Sequence, residues 1–285
     1  MNIQSKSKKH GMVYFDSISA KEFESRLEVP DGRNPNQNAW LTITINYSLN
    51  FADSKNRVAG VIVEKNGKYY AKDSDNELFP IKDWDFKSQI EFNRRFRQGE
   101  KFWNYKFLLI TPKDYNAFDY TSWAGPGWIC RPNIICLFRL GSGLSPTHLP
   151  LTVVRPDPTW WDNLVGNSFR SHSRLYDEED VKTKTLWHEL GHALDQLHIK
   201  ALMGNQQCLV DINKDDCYDT PSGMDENIMG RGTGLATVNA KPWQELIEAH
   251  TGIPKFKWLV TTATNTPPRK LQMAFQVRGV MPQVW

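Results

Sequence analysis

Residues 188–198 read His-Glu-Leu-Gly-His-Ala-Leu-Asp-Gln-Leu-His. Two imidazoles four positions apart, His188 and His192, sit one turn apart on the same face of a helix, where both can grip one metal ion. His198 comes just beyond that helix and can supply a third nitrogen. Three protein ligands leave a fourth position open to water, which is how catalytic zinc sites are built. Glu189 stands beside the first ligand, where its carboxylate can take a proton from that water. These residue types in this order suit hydrolysis, first of all of a peptide bond.

The helix that must carry the pair is expected to begin near Asp177, because Asp177, Glu178, Glu179 and Asp180 suit a positive N-terminal end. Leu186, Leu190, Ala193, Leu194 and Leu197 recur at helical spacing and form its buried stripe. That leaves His188 and His192 facing a cleft. After a loop-rich stretch, a second helix has Pro242 near its first position. Trp243, Leu246, Ile247 and His250 share one of its faces, and Gly252 lies past its end. Upstream, Leu41, Ile43, Ile45, Tyr47 and Leu49 alternate with polar residues and predict a half-buried strand. Residues 61–64 and 68–71 flank Asn66-Gly67, a hairpin signal. Residues 85–98 read as a helix with Phe86, Ile90 and Phe96 inward and Gly99 as the stop. Residues 105–110, 134–138 and 151–154 are further strands, and 271–277 is a last strand-like run.

The chain has 285 residues, 40% hydrophobic and 24% charged, enough for one large domain or two small ones. No apolar run approaches the roughly 18 residues of a membrane span. A net charge of +3 is too small to argue for nucleic acid or an anionic membrane as partner. The first ten residues are charged, but no apolar segment follows, so no secretory signal is expected. The expectation is a protein that stays in the cytoplasm or leaves by a non-Sec route. Four cysteines fall into two local pairs, Cys130 with Cys136 and Cys208 with Cys217. They suit either two short disulfides or four reduced thiols. Residues 211–216 read as a solvated loop rather than a calcium site. His10, His148, His172 and His250 have no ligand-like spacing to the motif.

The motif resembles that of the metzincin zinc metalloproteinases, H-E-x-x-H-x-x-G-x-x-H followed by a Met-containing turn beneath the metal. His188, Glu189, His192 and His198 match its positions. Glu226-Asn227-Ile228-Met229-Gly230 offers a Met-turn, although Met is also a common core filler. The resemblance implies an α+β fold with a mixed twisted sheet, an active-site helix and a C-terminal helical subdomain. It covers roughly residues 40 to 252 and implies a catalytic domain over 39–254, its upper part ending near 198. It also implies Zn2+ as cofactor, a protein or peptide substrate, and Glu189 as general base and then acid. A monomer, and an effector or toxin delivered by specialised secretion, are compatible with it. Residues 1–38, rich in Lys, Ser, Asn and Gly with little periodicity, read as a flexible segment with a short helix near 20–27, and 255–285 as a C-terminal extension.

Two departures stand out. The family's turn glycine is Asp195 here, which can make the turn at some cost or hydrogen-bond a ligand imidazole. No Tyr follows Met229, so Tyr218 or Tyr176 would have to take that role. An extended substrate is expected along a strand edge at 134–139 or 151–154, with the loops at 123–128 and 160–161 shaping specificity. Three alternatives stay open: a carboxylate third ligand (Glu226, then Glu245 or Glu248), a non-protein amide substrate, and a structural zinc closed by a fourth side chain.

Overall fold

The alternation at 41–49 becomes part of one long strand in the structure, a computed structural model. It describes residues 7–9, 12–14, 18–19, 23–30, 38–72, 78–112, 128–129, 133–143, 147–155, 157, 174–176, 184–210, 215–218, 226–262 and 283–284. In chain order the first elements are β1 (Ser7–Lys9), β2 (Met12–Tyr14), β3 (Ile18–Ser19), β4 (Glu24–Pro30), β5 (Ala39–Phe51), β6 (Ile62–Lys65), β7 (Lys68–Lys72) and β8 (Leu78–Pro80). Next come α1 (Phe86–Gln98), α2 (Glu100–Trp103), β9 (Phe107–Ile110), β10 (Trp128–Ile129), β11 (Ile134–Ser142), β12 (Leu149–Val153) and β13 (Arg174–Tyr176). Then follow α3 (Lys184–Ala193), α4 (Ile199–Leu202), α5 (Gln206–Val210), α6 (Lys241–Thr251), β14 (Leu259–Thr262) and β15 (Gln283–Val284). Helices together with a sheet of mixed parallel and antiparallel strands make the fold α+β. No helix among the described residues is long and apolar enough to cross a membrane.

Residue contacts divide the chain into two units, and the division falls inside β5 and β11. The first unit comprises Met1–Thr44, Trp103–Arg139 and Leu194–Trp285. Its sheet runs β1-β2-β4-β5-β11-β9-β14. Leu27 of β4 pairs with Leu41 of β5, and both are fully buried. Helix α6 has Pro242 in its first turn and is capped by Gly252, which adopts φ 72° and returns its N–H to the Glu248 carbonyl. A left-handed residue at this position is what glycine supplies at no steric cost. Trp243 of α6 packs on Phe107 and donates its indole N–H to the Leu137 carbonyl at 3.0 Å.

The second unit comprises Ile45–Phe102 and Leu140–Ala193. Here β12 lies parallel to β5 on one side and to β13 on the other. Strands β6, β7 and β8 form a separate antiparallel sheet. Its hairpin turns on Asn66 at φ 53° and Gly67 at φ 71°, the two left-handed residues of a type I′ turn. Asp85 caps α1 by accepting from the Ser88 N–H at 2.8 Å. Tyr47, Phe51, Trp84, Phe92 and Phe96 form an aromatic cluster of tilted and edge-on pairs.

Several expectations are corrected. Residues 24–30 are a strand, not part of a flexible lead-in with a helix. Ser25, Leu27 and Val29 are buried while Arg26 is exposed, a period of two blurred by a polar residue at an inward position. The C-terminal stretch is not simply an extension, since β14 pairs antiparallel with β9. On α1 the inward residues are Phe92 and Phe96, whereas Phe86 is 78% exposed and Ile90 53% exposed. Ile90 and Phe92 are two positions apart, about 200° around a helix, so one face cannot hold both. Neither proposed substrate strand is an edge: β11 has β5 and β9 as neighbours, and β12 has β5 and β13. The run 271–277, the loops at 123–127 and 160–161, and the expected helix start at 177 lie outside the described residues.

His250 gives the first unit a pH dependence. It is buried on α6, with its Nε2 3.1 Å from the Ser25 hydroxyl. Burial disfavours its charged form and lowers its pKa to about 4. A folded pKa below the unfolded value of about 6.5 means that the unfolded chain binds the proton first. Stability is therefore full above pH 6.5 and falls by about 3 kcal/mol as the pH drops toward 4. Denaturant midpoints measured across this range should show that slope, and His250→Gln should flatten it.

Candidate metal centre

Helix α3 is seated by its apolar side. Leu186 and Leu190 are buried, and both close on Gly99 at the end of α1. A Cβ at Gly99 would lie 2.6 Å from Leu190 Cδ1 and 2.8 Å from Leu186 Cδ2, so the missing side chain permits the approach. Trp187 stacks nearly parallel on Phe102 of α2, with ring centroids 4.6 Å apart. This packing leaves His188 and His192 half-exposed one turn apart, as their spacing requires. Glu189, between them in sequence, is only 4% exposed.

The helix stops after Ala193 because Asp195 adopts φ 61°. This is the left-handed region, where Asp is tolerated better than most side chains. Asp195 is exposed, as a turn residue should be. The chain then runs extended through His198 (φ −57°, ψ 153°) and enters α4. His198 is buried.

The three imidazoles converge. His188 Nε2 and His192 Nε2 lie 3.0 Å apart. One ligand atom from each of His188, His192 and His198 falls within 4.8 Å of the others. Tetrahedral coordination at metal–nitrogen distances of ~2.05 Å spaces the nitrogens by about 3.3 Å, so the donor set fits one ion after small adjustments. Imidazole donors of this kind suit zinc, copper, iron or nickel.

The alternative carboxylate ligands do not join this group. Glu226 is exposed. Glu245 pairs with Lys255 at 3.0 Å and with Lys241 at 3.9 Å. Glu248 accepts from the Lys255 backbone N–H. Tyr218 packs its ring against His198, with centroids 3.7 Å apart. It follows Cys217, which is disulfide-bonded to Cys208. The side chain of Tyr176 lies outside the described residues. The cysteines match neither expectation as a whole: Cys208 and Cys217 are bonded, while Cys136 is a buried, unbonded thiol. Burial pushes that thiol well above the usual cysteine range, which keeps it protonated. Cys130 lies outside the described residues.

Met229 is buried in a tight turn next to the His198 segment. Its carbonyl accepts from the Ile199 N–H at 2.9 Å. The turn folds back on itself: Gly230 and Gly232 donate to the Asn227 carbonyl, and Ile228 N–H donates to Gly234. A Cβ on Gly232 would stand 1.9 Å from the Glu226 carbonyl carbon, so only glycine fits. The sequence reading missed Gly99, Gly232 and the stacking role of Tyr218. It also missed three buried amides, Gln196, Asn227 and Asn239. The glycine run Gly230-Arg231-Gly232-Thr233-Gly234 was the one available sign of a close backbone approach.

No family model, no curated protein and no solved structure matches this chain.

The turn at Asp195 yields a direct expectation. Asp195→Gly should keep stability within about 1 kcal/mol of wild type, because it removes the cost of a left-handed side chain. Asp195→Val should cost about 1–2 kcal/mol, since a β-branched residue resists positive φ. Thermal unfolding of the two variants measures the difference.

Proposed function

We propose that the protein is a zinc-dependent endopeptidase of metzincin-like architecture. The observation that carries this reading is the convergence of His188, His192 and His198 within 4.8 Å, with Glu189 next to the first ligand in sequence. His188, His192 and His198 would hold the ion. Bound zinc would supply Lewis acidity for activating water and polarising the scissile carbonyl. The Glu189 carboxylate would accept the proton as water adds to the carbonyl, then deliver it to the leaving amine nitrogen. Its burial keeps competing water away and strengthens its electrostatic action. Tyr218 would hold the His198 ring in its coordinating orientation through face contact.

Three further features support the reading without carrying it. The Met229 turn follows the third histidine in sequence, as the family pattern implies, and its carbonyl accepts from the residue after that histidine. Strand β13 has β12 as its one neighbour among the described residues, so an extended substrate could add to its other side. The Cys208–Cys217 disulfide suits an oxidising compartment, and with it an exported effector or toxin.

Zinc-loaded wild type should produce new peptide termini in a mixed proteome, and a chelator should abolish them. Glu189→Ala should retain one zinc per chain and lose about 10²–10⁴ in turnover. His198→Ala should weaken zinc binding by more than about 100-fold, since even second-layer supports cost 10–100-fold. Zinc held by a fourth side chain, or equal termini from wild type and Glu189→Ala, would overturn the proposal.

A further inference from the structure

The segment from Gln196 to His198 belongs to no helix or strand, and lies between the left-handed turn that ends α3 and the start of α4. Bonds from outside the segment fix its geometry. Gln196 is buried, and a buried amide is costly unless its polar atoms are bonded. Its Nε2 donates to the Asn239 carbonyl at 3.0 Å, and its Oε1 accepts from Asn239 Nδ2 at 2.9 Å. Asn239 is fully buried, and its Oδ1 accepts from Asn227 Nδ2 at 2.8 Å and from the Ala236 N–H at 2.9 Å. Asn227 Oδ1 accepts from the Met229 N–H at 2.9 Å. The Met229 carbonyl accepts from the Ile199 N–H at 2.9 Å.

These bonds form a closed circuit. It leaves the backbone two residues before His198 and returns one residue after it. We propose that Asn239 and Gln196 are positioning residues for the metal centre, and that this circuit of buried amides sets the place of the third ligand. The inference rests on the metal-centre reading above and adds residues that are not themselves ligands, Gln196 within the zinc motif and Asn239 lying 41 positions after His198.

The circuit has a direction. Asn239 offers Nδ2 to Gln196 and Oδ1 to Asn227 and Ala236. Reversing its amide would set donor against donor and acceptor against acceptor. Asn239→Asp keeps the shape and the acceptor but removes the donor to Gln196. Gln196→Met keeps the approximate volume and removes both of its bonds to Asn239. In a buried, low-dielectric network such losses are not made good by solvent. The His198 imidazole then samples positions away from those the other two nitrogens require.

The test uses the full chain titrated with cobalt(II), whose visible absorption reports four-coordinate binding, followed by competition with a zinc chelator. Wild type should bind one cobalt ion. Asn239→Asp and Gln196→Met should bind it 10–100-fold more weakly, with altered band intensity. Val29→Ala, a core change outside the circuit, serves as a control for lost stability. It should lower the apoprotein's melting temperature and leave cobalt affinity unchanged. Should Asn239→Asp fail to fold, Gln196→Met decides alone. Affinities within twofold of wild type, or an equal loss in Val29→Ala, would overturn the positioning role while leaving the metal centre standing. A wild type that binds no cobalt would overturn the metal centre itself, and this inference with it.

Discussion

A single backbone angle, φ 61° at Asp195, decides whether three histidines can share one ion. Had α3 continued, His198 would lie about 9 Å further along the axis from His192 and about 240° around it. No ion bound to His188 and His192 could then reach its ring. By stopping the helix, the turn takes His198 off that axis. Glycine would make this turn without steric cost, whereas Asp pays for it in part through the tolerance of short polar side chains for the left-handed region. The turn creates a free-standing extended segment, and that segment needs support from outside itself. The Met229 carbonyl and the Gln196 amide provide that support in the form of specific, directional bonds.

The helix and the turn are supported by different physical means. Helix α3 is held by apolar contact: two leucines close on Gly99 and a tryptophan lies flat on Phe102. Contacts of this kind fix position through volume, and they tolerate small shifts. The segment carrying His198 is held by hydrogen bonds among buried amides, which fix both distance and angle. The ligand pair spaced along a helix needs little further orientation, because the helix already sets the separation of its side chains. The ligand beyond the helix needs more, and the polar circuit lies there.

Periodic elements were legible in the sequence because their signal is local. The alternation within β5, the Asn66-Gly67 turn and the limits of α6 from Pro242 to Gly252 all reflect backbone rules acting over a few residues. The three histidines were legible for the same reason, since their spacing is itself a helical period and a turn. What stayed hidden depends on distant partners. β4 is a strand because β5 offers an edge to it, and Ser25 at an inward position obscures its alternation. The inward face of α1 was set by the aromatic cluster of Tyr47, Phe51 and Trp84, not by the spacing of Phe86 and Ile90. Gln196, Asn227 and Asn239 are polar residues in loop-like surroundings, and nothing local distinguishes an amide that bonds to another amide from one that faces water.

The burial of Glu189 bears on what the centre is for. A carboxylate removed from solvent is costly unless its surroundings compensate it, and a metal site that only staples the fold has no use for one beside its ligand. Structural sites also close their coordination sphere with a fourth side chain, whereas a catalytic site keeps that position open. A set of three neutral donors leaves the charge of a divalent ion uncompensated. An adjacent anion lowers that electrostatic cost and can at the same time receive a proton from whatever occupies the open position. The same pairing would contribute little to a purely structural ion, whose stability comes from a complete set of ligands.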